Sequence, residues 1–268
     1  MAMSGASPES DGSARSDRLI GIVGLGRAGS SFAAALEARG WTVKVLDHSA
    51  AVPSALDEMA RKVDVVLLCV PDSNIADVAS QFSPEVLADG VVLAHCSGAA
   101  TLDVLGSASR VGSIHPLVSL SGENPGDLIG AWFALAGDSL LADVAASLDG
   151  RTVQIEDADR SLYHAGAVIA SNHLVALLAQ VETIAARVGM PVDAFLDLAQ
   201  VSLDNCRELG ARSALTGPVS RGDVATVVGH LEALERSGLH GEVDAYVALA
   251  KRAAVLAGRD PDEAVPLS

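Results

Sequence analysis

Lysine is scarce in this sequence of 268 residues. The chain contains three lysines, Lys44, Lys62 and Lys251. No mechanism that needs a lysine between Lys62 and Lys251 is therefore open to this protein. Two of the three lysines precede residue 63, so the scarcity matters most for the second half of the chain.

Long apolar runs are also missing. Half of the residues are hydrophobic, but no run of 18 lacks a polar interruption, so we expect no membrane-spanning segment. Residues 1–18 have no apolar core, which predicts a disordered extension and not a secretory signal. These two features predict a cytoplasmic protein.

Basic residues are outnumbered. The chain has 34 acidic and 18 basic residues, and its net charge is −16, with the basic residues scattered along the sequence. Such a surface repels nucleic acid and anionic membranes, so we expect neither as a partner. The plain alternative is a solvated acidic surface that aids solubility.

Cysteine is rare and is not arranged for metal binding. The three cysteines, Cys69, Cys96 and Cys206, are odd in number and lack the spacing of metal ligands. Two of them lie in or beside apolar runs, which is typical of packing residues in a reducing compartment. We therefore expect no metal site.

A glycine-rich turn between a strand and a helix organises the chain. Leu19 to Val23 is a short branched apolar run typical of a buried strand, and Ser30 to Arg39 has the pattern of a helix. The turn between them consists of Gly24, Leu25, Gly26, Arg27, Ala28 and Gly29. In such turns the first glycine bends tightly, the second admits a pyrophosphate, and the third lets helix and strand pack closely.

An acidic residue closes this unit. A second predicted strand, Trp41 to Leu46, ends in Asp47, 18 residues beyond Gly29, where a carboxylate can hold the adenine ribose. The pattern predicts a dinucleotide site, and a turn that serves packing alone is the alternative. About 16 residues separate Asp47 from the next strand, so we predict that the third strand of the usual half is missing.

Three later apolar strands end in polar or turn residues. The residues at these ends are Val70, Pro71 and Asp72, then His95, Ser97 and Gly98, then His115. Ligands bind at the carboxyl edge of open α/β sheets, so we predict the site there. A histidine such as His115 is suited to substrate binding or proton transfer, and a ring that only bonds a nearby carbonyl is the alternative. Two further strands, Ala131 to Ala136 and Thr152 to Ile155, complete a domain of residues 19–156.

The second domain, residues 157–268, is predicted to be helical. Ala158 to Val188 is one long helix that is apolar on nearly every face, so its own domain or a partner subunit must cover it. We therefore predict a homodimer joined through this domain. On this helix His164 and Asn172 lie about 80° apart and can border one cleft, or else each satisfies a neighbouring loop.

A loop between two later helices is a candidate substrate wall. It runs from Leu215 to Asp223 and includes Thr216 and Arg221. Arg221 offers a planar fork to the carboxylate of an anionic substrate. In the alternative, this is an ordinary turn in which Asp223 caps the next helix.

The sequence resembles the 6-phosphogluconate dehydrogenase-like superfamily, and most closely a family that pairs a Rossmann-like domain with a helical domain of unassigned function. The matching stretches are Gly24 to Gly29, Val70 to Asp72, Ser97 to Gly98, His115 to Pro116, Tyr163 to His164, Ser171 to Leu174 and Leu215 to Asp223. The resemblance implies a nicotinamide cofactor and reduction of a small carbonyl or imine, as in ketopantoate reductase or pyrroline-5-carboxylate reductase.

One departure from that pattern matters. Relatives that act on oxo and hydroxy acids place a lysine on the long helix as proton donor, and this helix has none. Asn172 can then only orient or polarise a carbonyl, and His164, His115 or water must supply the proton. The alternative is a non-catalytic nucleotide-binding or sensor protein. For a cofactor, NAD or NADP, we predict a slight preference for NAD, because Asp47 would repel a 2′-phosphate.

Overall fold

The computed structural model describes residues 18–47, 50–122 and 124–266. The predicted disordered extension therefore lies outside the described residues, except for Arg18. The chain divides into two compact units, residues 1–171 and 172–268. The first turns of the long helix thus belong with the sheet, whereas the predicted domain boundary lay earlier, at residue 157.

The first unit is built on one sheet of mostly parallel strands. Its strands are β1 (Leu19–Val23), β2 (Thr42–Leu46), β3 (Val65–Leu68), β4 (Val92–His95), β5 (Val111–Pro116), β6 (Trp132–Gly137) and β7 (Arg151–Gln154). They lie in the order β2-β1-β3-β4-β5-β6-β7. Since β2 is the outermost strand beside β1 within the described residues, the predicted loss of the third Rossmann strand is confirmed.

The central strands are buried on both faces. All four residues of β3 and of β4 are buried, as expected for parallel strands covered by helices. One face carries α1 (Arg27–Ala38) and α5 (Leu140–Ser147), and the other carries α2 (Pro53–Ala60), α3 (Ile75–Ala79) and α4 (Pro84–Ala88). A hydrophobic core therefore lies on each face of the sheet, and the carboxyl ends of the parallel strands meet at one edge.

One strand pair runs against the others. β6 is antiparallel to β5, with His115 opposite Ala134, while β7 is parallel to β6. The described link between β5 and β6 contains a single 3₁₀ turn, Pro125–Leu128, and no crossover helix. Without such a crossover a parallel pairing is not accessible, so the strand turns back.

The second unit is helical, as predicted. The long helix comprises α6 (Arg160–Val168), a π-helical turn (Ile169–His173) and α7 (Leu174–Val188), of which the last belongs wholly to this unit. The later helices are α8 (Val192–Leu209), α9 (Ala211–Ala214), α10 (Pro218–Arg221), α11 (Val224–Arg236), α12 (Val243–Leu256) and α13 (Pro261–Ala264). Its core is small, with buried apolar residues from α10 to α13 and the segment after α13.

The helix from Asp157 to Val188 qualifies as a candidate membrane span by length and composition alone. Its best 18-residue window has a mean hydropathy of 1.4 and contains at most two charged residues. The expectation that no segment is long and apolar enough to cross a membrane is therefore not confirmed. Core helices of soluble proteins meet the same criterion, so the finding is weak.

Candidate functional site

The glycine turn after β1 is held by close backbone contacts. The amide of Gly24 donates to the carbonyl of Leu46 at 2.9 Å, and Gly24 has a φ of +96°. A Cβ on Gly24 would lie 2.7 Å from the carbonyl oxygen of Cys69, and one on Gly29 would lie 1.9 Å from the carbonyl oxygen of Gly24. Both glycines are therefore required for the turn itself.

Gly26 is different, because it faces open space. Within the described residues, and apart from the chain neighbours of Gly26, no atom lies within 4 Å of the position that a Cβ on Gly26 would take. Gly26 is the N-cap of α1 and provides no side-chain cap, while Leu25 and Arg27 are exposed and Ala28 is half-buried. An uncapped helix N-terminus beside open backbone fits the pyrophosphate of a dinucleotide. A nicotinamide dinucleotide held here would supply hydride.

The ends of β3 and β4 are joined by polar contacts. Ser97 Oγ donates to the carboxylate of Asp72 at 2.7 Å and accepts from the amides of Ala99 and Ala100 at 3.1 and 3.0 Å. Val70 is buried at the same edge, next to Gly24. The structure thus brings together the predicted residues of the glycine turn and of these two strand ends.

A cluster of rings follows at the end of β5. Nδ1 of His115 and the hydroxyl of Tyr163 are hydrogen-bonded at 2.6 Å, and their rings meet edge to face. The ring of His164 also meets His115 edge to face, with centroids 5.8 Å apart. Gly98 makes room for both histidines, because a Cβ there would lie 2.5 Å from Nδ1 of His164 and 2.8 Å from Cε1 of His115. His115, His164 and Gly98 therefore share one site.

Two residues on one face of β5 contact two residues on one face of α6 in this cluster. Ser113 and His115 are two residues apart on β5 and so share one face of the strand. Arg160 and Tyr163 are three residues apart on α6 and so share one face of the helix. Arg160 Nη2 donates to Ser113 Oγ at 2.7 Å, one step along from the contact between Tyr163 and His115.

Buried polar side chains cluster at the carboxyl edge of the sheet. Of the five buried polar residues in the described chain, four lie here: His95, Ser97, Ser113 and Arg160. The guanidinium of Arg160 is paired with Asp157 at 3.1 Å, which satisfies a charge that is almost fully buried. The network fixes the start of the long helix against β5.

Burial keeps the rings of His115 and Tyr163 neutral. Desolvation, followed by the charges of His164 and Arg160, lowers the pKa of His115 to about 4. Desolvation likewise raises the pKa of Tyr163 to about 12. Both side chains are therefore uncharged at neutral pH.

His95 is also neutral, and two ring nitrogens at this edge lack partners. Desolvation, together with the charge of Arg160, lowers the pKa of His95 to about 4. Nδ1 of His95 accepts from the amide of Ser97 at 3.2 Å. Within the described residues, Nε2 of His95 and Nδ1 of His164 are buried without a hydrogen-bond partner. Such orphaned groups are unusual in native structures and are common at functional sites.

The remaining predicted substrate residues belong to the second unit. Asp223 is the N-cap of α11: it accepts from the amide of Thr226 at 3.1 Å and from its hydroxyl at 2.7 Å. Asp223 therefore caps the next helix, as the alternative interpretation of this loop predicted. Arg221 is exposed at the end of α10. For Thr216, Arg221 and Asp223, a place in the substrate site stays a prediction.

Asn172 and Asp47 are described by their positions only. Asn172 is exposed and begins the second unit, within the π-helical turn. Asp47 is exposed and directly follows β2. Their roles in orienting the substrate and holding the ribose stay predictions. The described residues contain no cluster of three His, Cys, Asp or Glu side chains placed for a metal ion.

Sequence reasoning did not assign Tyr163, Arg160 or Ser113 to the site. Tyr163 stands out in the sequence as a polar residue inside an apolar helix, but nothing local indicates which strand it meets. Arg160 follows Asp157 at the spacing of a helical ion pair, which is the signal available for the buried pair.

Family models match both units. A model described as a Rossmann-like domain matches residues 5–119, and a model described as a domain of unknown function, DUF2520, matches residues 134–253. The chain therefore belongs to the family that pairs a Rossmann-like domain with this helical domain, in the 6-phosphogluconate dehydrogenase-like superfamily. No curated protein matches the chain.

Solved structures share the fold over nearly their whole length. A proposed NADP oxidoreductase from Bacteroides fragilis is 20% identical with a TM-score of 0.71, and a protein from Thermotoga maritima is 26% identical with a TM-score of 0.67. Each alignment covers 89% of this chain and 98% of the other. A reductive aminase from Aspergillus terreus, in complex with NADPH4, cyclohexanone and allyl amine, is 19% identical with a TM-score of 0.67, and the alignment covers 93% and 98% of the two chains.

Proposed function

We propose that the protein is an NAD(P)-dependent oxidoreductase that reduces a small carbonyl or imine compound. The observation that carries the proposal is the open backbone at Gly26, at the same sheet edge as the cluster of His115, Tyr163 and His164. The first feature suits the phosphates of a dinucleotide, and the second offers hydrogen-bonding groups to a polar double bond.

The structural relatives support the same chemistry. The similar proteins from Bacteroides fragilis and Aspergillus terreus are described as an NADP oxidoreductase and as a reductive aminase, and the latter is complexed with a ketone and an amine. At such low sequence identity the similarity shows the fold alone, so the proposed activity of this chain rests on its own site. A substrate of the kind used by pyrroline-5-carboxylate reductase or ketopantoate reductase agrees with the neutral, half-buried cluster.

For the cofactor, we keep NAD as the preferred form over NADP. Asp47 is exposed directly after β2, where its carboxylate would oppose a 2′-phosphate. For the substrate, we keep a small anionic compound with Thr216 and Arg221 as contacts. An exposed guanidinium is well suited to a carboxylate that arrives from solution.

A second candidate function is a non-catalytic nucleotide-binding or sensor protein. The observation that favours it is the missing lysine on the long helix, which removes the proton donor used by relatives that act on oxo and hydroxy acids. The two functions share the glycine turn and differ in turnover.

Binding and turnover separate these functions. We expect NADH, and more weakly NADPH, to show enhanced fluorescence on titration with the protein. We also expect NADH oxidation with 1-pyrroline-5-carboxylate or ketopantoate. Binding without turnover on either compound would favour the sensor, and absence of binding by both cofactors would contradict the oxidoreductase function. Tighter binding of NADPH would refute the cofactor preference alone.

A further inference from the structure

The reduction of a carbonyl or imine needs a proton as well as a hydride, and the long helix has no lysine to donate it. The site contains one hydroxyl that is poised for this task. Tyr163 is half-buried, its hydroxyl is 2.6 Å from Nδ1 of His115, and it lies on the same helix as His164. This distance is at the short end of the range for protein hydrogen bonds.

We propose that Tyr163 is the catalytic proton donor of this protein, and that His115 is the residue that positions and reprotonates its phenol. The inference rests on the proposed oxidoreductase function and names the group that completes it. His164 and Gly98 complete the arrangement by bordering the far side of the His115 ring.

The tautomer of His115 determines whether the hydroxyl proton of Tyr163 points towards His115 or is free for a substrate. A neutral imidazole has one protonated and one free nitrogen. With the proton on Nδ1, His115 donates to the oxygen of Tyr163, and the phenol proton is free for a substrate. Nε2 of His115 then accepts. It faces Gly98, where a Cβ would lie 2.9 Å from it, so the absent side chain leaves space for a proton to reach it.

The proton balance of the step is complete. The substrate carbon gains a hydride from the reduced nicotinamide, and the electrons of the double bond move to its oxygen or nitrogen. That atom takes the proton of the Tyr163 hydroxyl. The phenolate oxygen takes the Nδ1 proton of His115, while Nε2 takes one proton from water, which leaves as hydroxide. Exchange of the ring protons with water then restores the tautomer protonated on Nδ1. The sum is one hydride and one proton added across the double bond.

The protonation states at neutral pH suit this role. The raised pKa of Tyr163 keeps its phenol protonated, and the lowered pKa of His115 keeps its ring neutral. A phenol is a far stronger acid than an alcohol or an amine, so transfer to the reduced oxygen or nitrogen is favourable.

The helical unit contains a matched control. Tyr246 and His230 are hydrogen-bonded at 2.7 Å, and their rings meet edge to face with centroids 5.8 Å apart. This pair has the geometry of the first but belongs to the second unit, between α11 and α12. Since the chain contains two tyrosines, Tyr246→Phe leaves Tyr163 as the single tyrosine.

A first readout needs no turnover. In the Tyr246→Phe variant with ¹³C-labelled tyrosine, the single ring-carbon signal reports Tyr163. We expect it to shift with a midpoint near pH 4, as His115 takes up its proton, and to lose that step in His115→Phe. A signal that ignores pH between 6 and 3 would overturn the pairing of the two side chains.

The second readout is turnover with NADH and NADPH on 1-pyrroline-5-carboxylate and ketopantoate. Tyr163→Phe should lower kcat about 10²- to 10⁴-fold with unchanged cofactor binding and melting temperature, while Tyr246→Phe keeps the wild-type kcat. Replacing tyrosine globally with a fluorotyrosine of lower pKa, in the Tyr246→Phe protein, should move the basic limb of the kcat profile to lower pH. A structural tyrosine would not cause that movement.

The outcomes distinguish the two proposals. If the wild-type protein oxidises neither cofactor with either compound, the oxidoreductase function and the role of Tyr163 are both overturned. If the wild type turns over and Tyr163→Phe keeps its kcat, or Tyr246→Phe loses as much, only the role of Tyr163 is overturned. If Tyr163→Phe unfolds, the fluorotyrosine profile decides, and an unmoved basic limb contradicts proton donation.

Discussion

His95 shows how one side chain can serve the site without reaching the surface. It is the last residue of β4, it is fully buried, and Ser113 is its register partner on β5. Its Nδ1 holds the amide of Ser97 and therefore the loop that carries Gly98. A charged His95 would be buried close to Arg160, which explains its depressed pKa.

The neutral state of His95 predicts a loss of stability in acid. Its pKa is about 4 in the folded protein and about 6.5 in an unfolded chain, so between these values the unfolded state binds more protons. Its contribution is present above pH 6.5 and is lost as the pH falls towards 4. We expect this residue alone to lower the free energy of unfolding by about 2 kcal/mol between pH 6.5 and 5.

Urea unfolding at several pH values measures that loss. His95→Asn keeps an acceptor for the amide of Ser97 but does not titrate, so its stability should fall less steeply over this range. His115 remains in both proteins, so the difference in slope between them reports chiefly His95. Equal slopes for the variant and the wild type would contradict a neutral, buried His95.

At the scale of elements, different glycines of the turn serve packing and cofactor binding. A methyl group on Gly29 would meet the carbonyl of Gly24, whereas one on Gly26 meets nothing in the described chain. Gly29→Ala should therefore destabilise the protein by about 1 to 3 kcal/mol, the range for overpacked sites. Gly26→Ala should melt within a degree or two of the wild type and yet bind NADH at least about tenfold more weakly.

Melting curves and cofactor titrations on the two variants test this pair of expectations. Gly29→Ala is the control that shows the cost of steric conflict in the same turn. Wild-type affinity for NADH and NADPH in Gly26→Ala would show that no phosphate approaches that backbone, and the glycine turn would then serve packing alone.

The glycine turn could be predicted from the sequence, whereas the contact between Tyr163 and His115 could not. Gly24, Gly26 and Gly29 constrain the backbone locally, and parallel strands bring their carboxyl ends to one edge by topology. The predictions for the turn and for the edge at Ser97 and His115 needed no more than that.

The contact between Tyr163 and His115 depends instead on the register of α6 against β5. The buried pair of Arg160 and Asp157 and the bond to Ser113 set that register across about fifty residues of chain. No local pattern encodes such a long-range alignment. The reversal of β6 escaped prediction for a related reason, since it follows from a missing crossover helix and not from any property of the strand.

At the scale of the whole molecule, the helical unit is too apolar to be complete alone. In the described chain, α7 buries only Ala185 and α8 buries none of its residues. Large side chains on these helices are exposed by more than half: Val175, Val188, Leu198, Val201 and Leu209. An exposed apolar surface of this extent marks an interaction site.

We propose that the occupant of this surface is a second copy of the chain. A homodimer covers both copies of the same patch by one two-fold contact, which is the commonest way to bury such a surface. The net charge of −16 disfavours an anionic membrane as the alternative occupant of the apolar helix.

Light scattering at micromolar concentration should return twice the chain mass of 27.2 kDa. Leu198→Arg places a charge in the proposed interface, so it should shift the protein towards monomer and weaken the dependence of its melting temperature on protein concentration. Val52→Arg, at an exposed position of the sheet unit, is the matched control and should leave the mass unchanged. A wild-type mass near that of one chain, or sedimentation with anionic vesicles in place of dimerisation, would show that the apolar faces of α7 and α8 serve another purpose.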